Sequence, residues 1–183
     1  MEELISEKEG QWLLELARDA LNKALMKKPP AEKKVFYLSK ALKEKHGLFV
    51  SLWLEKQLRG CVGTILPSLC LDEAIKTHAL KAALNDIRFS PVTEEELGQI
   101  KIEISILSQP TPIETSQIEL GVHGLLICHG STSGILFPQI PLEYGWDKAT
   151  FVQQLCMKAG LAPDALQAGA DLFSFKMQSF KET

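Results

Sequence analysis

Leu48-Phe49-Val50-Ser51-Leu52-Trp53-Leu54-Glu55-Lys56-Gln57-Leu58-Arg59-Gly60-Cys61-Val62-Gly63-Thr64 is the stretch on which the fold turns. Leu48, Val50, Leu52 and Leu54 alternate with Phe49, Ser51 and Trp53, the period of two expected of a strand with one face in a core. Glu55-Lys56 make a short polar break before a second strand resumes at Leu58 and runs to Thr64, so the segment predicts a β-hairpin. Gly60 and Gly63 give up side-chain packing inside that second strand. Such glycines mark a bulge or the close approach of another backbone or a ligand.

Upstream, Ser6-x-x-Glu9 has the spacing of a capping box, and Leu13, Leu16, Ala17, Ala20, Leu21 and Ala24 come after it at helical intervals. This predicts an amphipathic helix ending before Pro29-Pro30, with a shorter helical piece over 36–45 stopped at Gly47. Downstream of the hairpin, Leu71, Ala74, Ile75, His78, Ala79 and Ala82 share one helical face. Ile100 to Leu107 then alternates as a strand.

The second half repeats the order: a hairpin over 124–129 and 134–137, a helix from Asp147 to Ala159 stopped at Gly160, and one strand over 172–180. The pattern predicts a duplicated β-β-α-β unit, repeated over about 47–107 and 124–180, with an N-terminal helical part over 6–45. Two three-stranded halves, each marginal alone, would then share one core as a mixed or largely antiparallel sheet or barrel with helices against it.

A length of 183 residues suits one domain, and 45% hydrophobic with 23% charged residues excludes disorder and low-complexity classes. The acidic, mixed opening Met1–Glu9 lacks the pattern of a secretory leader, and the longest apolar stretch, 48–54, is too short to span a bilayer, so a cytoplasmic protein is expected. Cysteines at 61, 70, 128 and 156 form no Cys-x-x-Cys pair, which favours reduced thiols and argues against a zinc knuckle. Lys23 to Lys45 holds eight lysines and two acids, a local +6 that leaves −9 elsewhere. That distribution disfavours a general nucleic-acid binder, although the segment itself could meet phosphates or an acidic partner.

Chemistry concentrates at Leu58–Thr64. Residues two apart on a strand share a face, so Arg59 and Cys61 are expected to project together, and a guanidinium beside a thiol favours the thiolate. The alternative makes Cys61 a small core residue and pairs Arg59 with a carboxylate. His78 is a candidate base for Cys61 if helix and strand meet. Gln139, Glu143 and Trp146 form a candidate polar-ligand cluster, with Asp147 capping the next helix. Asp86 and Arg88 are an ion-pair candidate ahead of the Phe89-Ser90-Pro91 turn. No metal or cofactor is expected: Cys128 and His129 point to opposite faces of one strand, and phosphate-binding glycine loops are absent.

Leu58-Arg59-Gly60-Cys61-Val62-Gly63-Thr64, Asp86-Ile87-Arg88-Phe89-Ser90-Pro91, Gly121-Val122-His123-Gly124-Leu125, Pro138-Gln139 and Glu143-Tyr144-Gly145-Trp146-Asp147 resemble, in order and spacing, the AMMECR domain family, known in prokaryotes as protein A of AmmeMemoRadiSam systems. The likeness covers nearly the whole chain. Val62 replaces the family's Ile in the hexapeptide, and Ile87 stands where Asp-Pro-Arg-Phe is common. The resemblance implies a single α+β domain over 1–183, in which a duplicated β/α unit forms a mostly antiparallel, barrel-like sheet with flanking helices and a small helical subdomain. It implies Cys61 and Arg59 as the centre of a site, with Gly60, Gly63, Thr64, Arg88, His123, Gln139, Glu143 and Trp146 as ligand-binding candidates. It also implies partners, a Memo protein similar to extradiol dioxygenases and a radical S-adenosylmethionine enzyme, while attaching no reaction.

Three functions stand as expectations. The favoured one is a non-catalytic partner or substrate-presenting subunit, for which Cys61→Ser is tolerated and Arg59→Glu disrupts association. The second is an enzyme in which Arg59 holds a small anionic substrate and Cys61 attacks it, a proposal that lacks an evident base. The third is a nucleic-acid-associated regulator using the 23–45 lysines.

Overall fold

A computed structural model describes residues 4–27 and 40–183. The chain divides into two compact units, Met1–Leu107 with Gln178–Thr183, and Ser108–Met177.

In the first unit, helix α1 (Glu7–Leu25) opens with the expected reciprocal cap: Ser6 Oγ accepts from the Glu9 N–H and Glu9 Oε2 accepts from the Ser6 N–H. Its apolar stripe, Leu13, Leu16, Ala17 and Leu21, is buried. Of the helical piece expected over 36–45, residues 36–39 lie outside the described residues; Lys40–Lys43 form a single 3-10 turn. Strands β1 (Gly47–Leu54) and β2 (Gln57–Thr64) make the expected hairpin. Helix α2 (Leu71–Leu84), the one-turn α3 (Glu94–Leu97) and strand β3 (Ile100–Leu107) come next. The sheet runs β2-β1-β3-β8, where β8 is Met177–Lys181. Leu48, Val50 and Leu52 of β1 join Ile75, Ala79 and Ala82 of α2 and the α1 stripe in one core.

The second unit holds strands β4 (Thr111–Pro112), β5 (Gly124–His129), β6 (Thr132–Leu136) and β7 (Asp171–Phe175) in the order β4-β7-β5-β6. Helices α4 (Ile140–Tyr144) and α5 (Lys148–Lys158) complete it. Asp147 caps α5 through the Thr150 N–H at 2.8 Å, and Gly160 takes φ +72° beyond its end, where glycine carries no Cβ penalty. Its core centres on Ile118, Leu125, Ile127, Phe151, Leu155 and Cys156.

Three expectations are corrected. Among the described residues the two sheets are separate and open, with no closed barrel and no single shared sheet. Residues 172–180 are two strands in different sheets. The break falls at Lys176, whose carbonyl accepts from the Ser108 N–H and whose N–H donates to Ser108 Oγ, both at 2.9 Å. A bend of that kind preserves the alternation and is invisible to a period-two reading. Finally, α1 forms no separate helical subdomain: Gly10 lies under the ring of Phe180, where a Cβ would stand 2.0 Å from a ring carbon.

Candidate functional site

The site grows from an irregularity in the first hairpin. Cα pairing runs regularly from Leu48↔Thr64 to Leu52↔Gly60 and then jumps to Trp53↔Leu58, which leaves Arg59 as the extra residue of a bulge. Gly60 faces the helix layer: a Cβ there would lie 2.1 Å from the Ala82 carbonyl oxygen in the last turn of α2. Gly63 lies equally tight on the hairpin, 2.2 Å from the Leu48 carbonyl oxygen by the same measure. Both glycines therefore serve backbone approach. Thr64 Oγ1 donates to the Leu66 carbonyl.

The bulge turns Arg59 into the loop after α2. Its guanidinium makes a two-pronged ion pair with Glu96, Nε to Oε1 at 2.9 Å and Nη2 to Oε2 at 3.0 Å. It also donates to the carbonyls of Ser90 and Pro91. Glu96 in turn accepts from the Thr93 N–H and caps α3. Arg59 chiefly, with the Thr93 bond adding, holds the Glu96 carboxyl below the usual carboxylate range. Of the two readings of Arg59, the carboxylate partner is the one the geometry matches.

Cys61 has a different cation. β2 is an edge strand, and the main chain of Cys61 turns outward to side chains that stand in for a neighbouring strand. Its N–H donates to Asp86 Oδ2 at 2.8 Å and its carbonyl accepts from Arg88 Nη2 at 3.0 Å. Asp86 and Arg88 close the clamp on each other, Nε to Oδ1 at 2.9 Å and Nη2 to Oδ2 at 2.7 Å. These bonds, with Cys61's N–H, hold the buried Asp86 carboxyl far below its ordinary value against the opposing effect of burial. Arg88 is raised, mainly by Asp86, with Cys61 adding. Because both main-chain groups of Cys61 point away from β1, its pairing with Ser51 is of the close kind, and Ser51 Oγ donates to Cys61 Sγ at 3.2 Å.

His78 cannot be the base. Gly60 faces α2, so Cys61, the next residue, faces the other side of the sheet, while His78 is buried on α2. Burial, and secondarily Lys81, pushes the His78 pKa down.

The remaining candidates belong to the second unit. His123 Nδ1 accepts from the Glu119 N–H at 3.1 Å and closes a turn. Gln139 is the N-cap residue of α4, and Gln139 and Glu143 are both exposed. Trp146 is half-buried and stacks on Tyr144 at 5.0 Å; the Glu143 N–H donates to the Gln139 carbonyl at 3.0 Å, and no side-chain hydrogen bond joins Gln139, Glu143 and Trp146 among the described residues. No group of three metal-capable side chains forms among the described residues, and no helix there is long and apolar enough to cross a membrane. The lysine-rich segment lies partly outside the described residues.

Sequence reasoning passed over Ser51, which needs the strand register, and Glu96, whose Thr93-x-x-Glu96 spacing was the available signal.

These features define an α+β protein of two open antiparallel sheets, with a glycine-bearing edge strand clamped by the loop after its helix. The chain belongs to the AMMECR1 family, which it matches over residues 14–180. Protein Mbar_A1807 of Methanosarcina barkeri is 40% identical over 187 residues, covering 98% of this chain and 93% of that protein. Protein MJ0810 of Methanocaldococcus jannaschii is 38% identical, covering 98% and 92%. The crystal structure of the uncharacterized protein PH0010 from Pyrococcus horikoshii is similar with a TM-score of 0.83 at 34% identity, covering 98% of this chain and 94% of that one.

Proposed function

We propose that this chain is a partner protein for a Memo-like, extradiol-dioxygenase-related protein and a radical S-adenosylmethionine enzyme, and that strand 58–64 with the turn at 86–89 forms the presenting surface. The supporting observation is the commitment of Arg59. Its guanidinium is occupied by Glu96 and two loop carbonyls, so it shapes the loop instead of holding a substrate anion. Among the described residues the thiol beside it is hydrogen-bonded to the Ser51 hydroxyl and to no histidine or carboxylate; Glu103, which shares its face two strands away across Ser51, is paired with Lys181. The clamp displays a rigid turn with Ile87 fully exposed and the Arg88 side chain 55% exposed, an apolar and cationic pair suited to a protein interface.

The enzyme reading keeps one favourable contact, the Ser51 hydroxyl donating to Cys61 Sγ with Arg88 close by. One experiment separates the two. Association of the purified chain with a purified Memo-like protein, measured by calorimetry, is expected to weaken at least about tenfold in Ile87→Glu and to be unchanged in Cys61→Ser. Wild-type binding that ignores Ile87→Glu, or no binding at all, overturns the partner reading; loss on Cys61→Ser alone favours a reactive thiol.

A further inference from the structure

We infer that the second unit carries a binding groove for a small organic cation with an aliphatic stem, of the alkylammonium class. The inference is independent of the 58–64 strand. The groove has a volume of about 690 Å³ and lies between the 3-10 turn Thr115–Gln117 and the run of turns before β7, within the roughly 300–1,000 Å³ typical of small-molecule sites. Ile113, Leu166 and Leu172 supply apolar wall, and Glu114 and Asp171 supply two carboxylates.

No lysine or arginine lines it. Lys148, which reaches the Thr115–Gln117 turn, donates to the Ser116 carbonyl. Neither Glu114 nor Asp171 belongs to an ion pair among the described residues. The Asp171 charge is felt by its cross-strand neighbour Cys128, whose thiol is pushed up first by burial and then by Asp171. An uncompensated negative groove selects a cation by charge, and the apolar wall selects a stem over a hydrated ion. A bare metal fits poorly, since no set of three metal-capable groups converges among the described residues.

The walls are pre-formed. The Glu114 N–H donates to Gln117 Oε1 while the Glu114 side chain takes the Gln117 N–H. The opposite wall is held by main-chain bonds from Ala165, Gln167 and Ala170 to Ala162, Asp164 and Ala165. Little ordering therefore opposes binding.

The test is an amide-shift titration of the isotope-labelled full chain with 1,5-diaminopentane, against pentan-1-ol and glutarate as neutral and anionic analogues. Saturable shifts confined to residues 112–117 and 166–172 are expected with the diamine alone. A Glu114→Gln/Asp171→Asn variant is expected to bind at least about tenfold more weakly. If that variant loses its dispersed spectrum, added salt on the wild-type chain reads the same charge dependence. Absence of saturation at millimolar diamine, equal binding by a folded variant, equal binding of pentan-1-ol, or binding insensitive to salt overturns the assignment.

Discussion

The first unit sets its strands in the order β2-β1-β3 and the second in the order β6-β5-β7, and in each the hairpin's second strand forms a sheet edge. Each such strand carries a glycine under the end of a later helix of its own unit, Gly60 beneath Ala82 of α2 and Gly134 beneath Ala159 at the end of α5. The difference lies in the loop after the helix. In the first unit that loop sends Asp86, Arg88 and Glu96 back onto the edge strand and freezes it. In the second, the chain after Gly160 runs through successive turns that wall a groove. One backbone device thus supports two kinds of surface, and the chemistry of each is set by the post-helix loop.

The sharpest way to break this comparison is at the glycines. A Cβ at Gly60 meets a main-chain oxygen, so Gly60→Ala is expected to cost about 3 kcal/mol, read as a lowered urea midpoint, and Ala82→Gly cannot relieve it. At Gly134 the first atom met is the Ala159 Cβ, at 2.6 Å. Gly134→Ala is expected to cost about 1 kcal/mol and to be largely rescued by Ala159→Gly. Equal costs, or rescue at both positions, would dissolve the distinction.

The clamp supplies the next effect. Asp86→Asn is expected to cost about 2 kcal/mol at neutral pH, since a charged acceptor serving Cys61 and Arg88 is lost. The Asp86 carboxyl sits below its unfolded value of about 3.9. Its stabilisation is therefore complete above that pH and is lost as pH falls through the acid range towards the folded pKa. The gap between the unfolding curves of wild type and Asp86→Asn should begin to narrow below about pH 4 and keep narrowing as the pH falls further; a gap independent of pH would mean that Asp86 acts by shape alone.

The smallest effect is at Ile87. The Phe89 N–H donates to the Asp86 carbonyl, and neither Ile87 nor Arg88 has positive φ, so 86–89 is a type I turn with Ile87 at its second position. Proline suits that position, and Ile87→Pro is expected to stabilise by about 0.5 kcal/mol. Destabilisation would mean that the turn is less rigid than the clamp implies.

The hairpins, α1, α2, α5 and β3 were legible because each depends on local period and cap chemistry, as Ser6-x-x-Glu9 and Leu71 to Ala82 illustrate. The separation of β7 from β8 was not, because Ser108 and Lys176 are 68 positions apart and their pairing leaves no local mark. The close backbone approaches at the candidate site were legible in Gly60 and Gly63, because glycines inside a strand give up packing and mark such contacts. Whether Arg59 served the thiol or a carboxylate was not legible, because one bulged residue redirects a side chain and register is a property of two strands.

β8 completes the first sheet, yet residues 178–183 come after the whole of the second unit in the chain. A ribosome therefore releases every residue of the second unit before the first can close over Gly10 with Phe180. The intervening unit acts as a long loop, and its prior folding would draw the two strand ends together and lower the entropy of that closure. The order of birth along the polypeptide thus makes the second unit the one able to mature alone, and the first the one that waits.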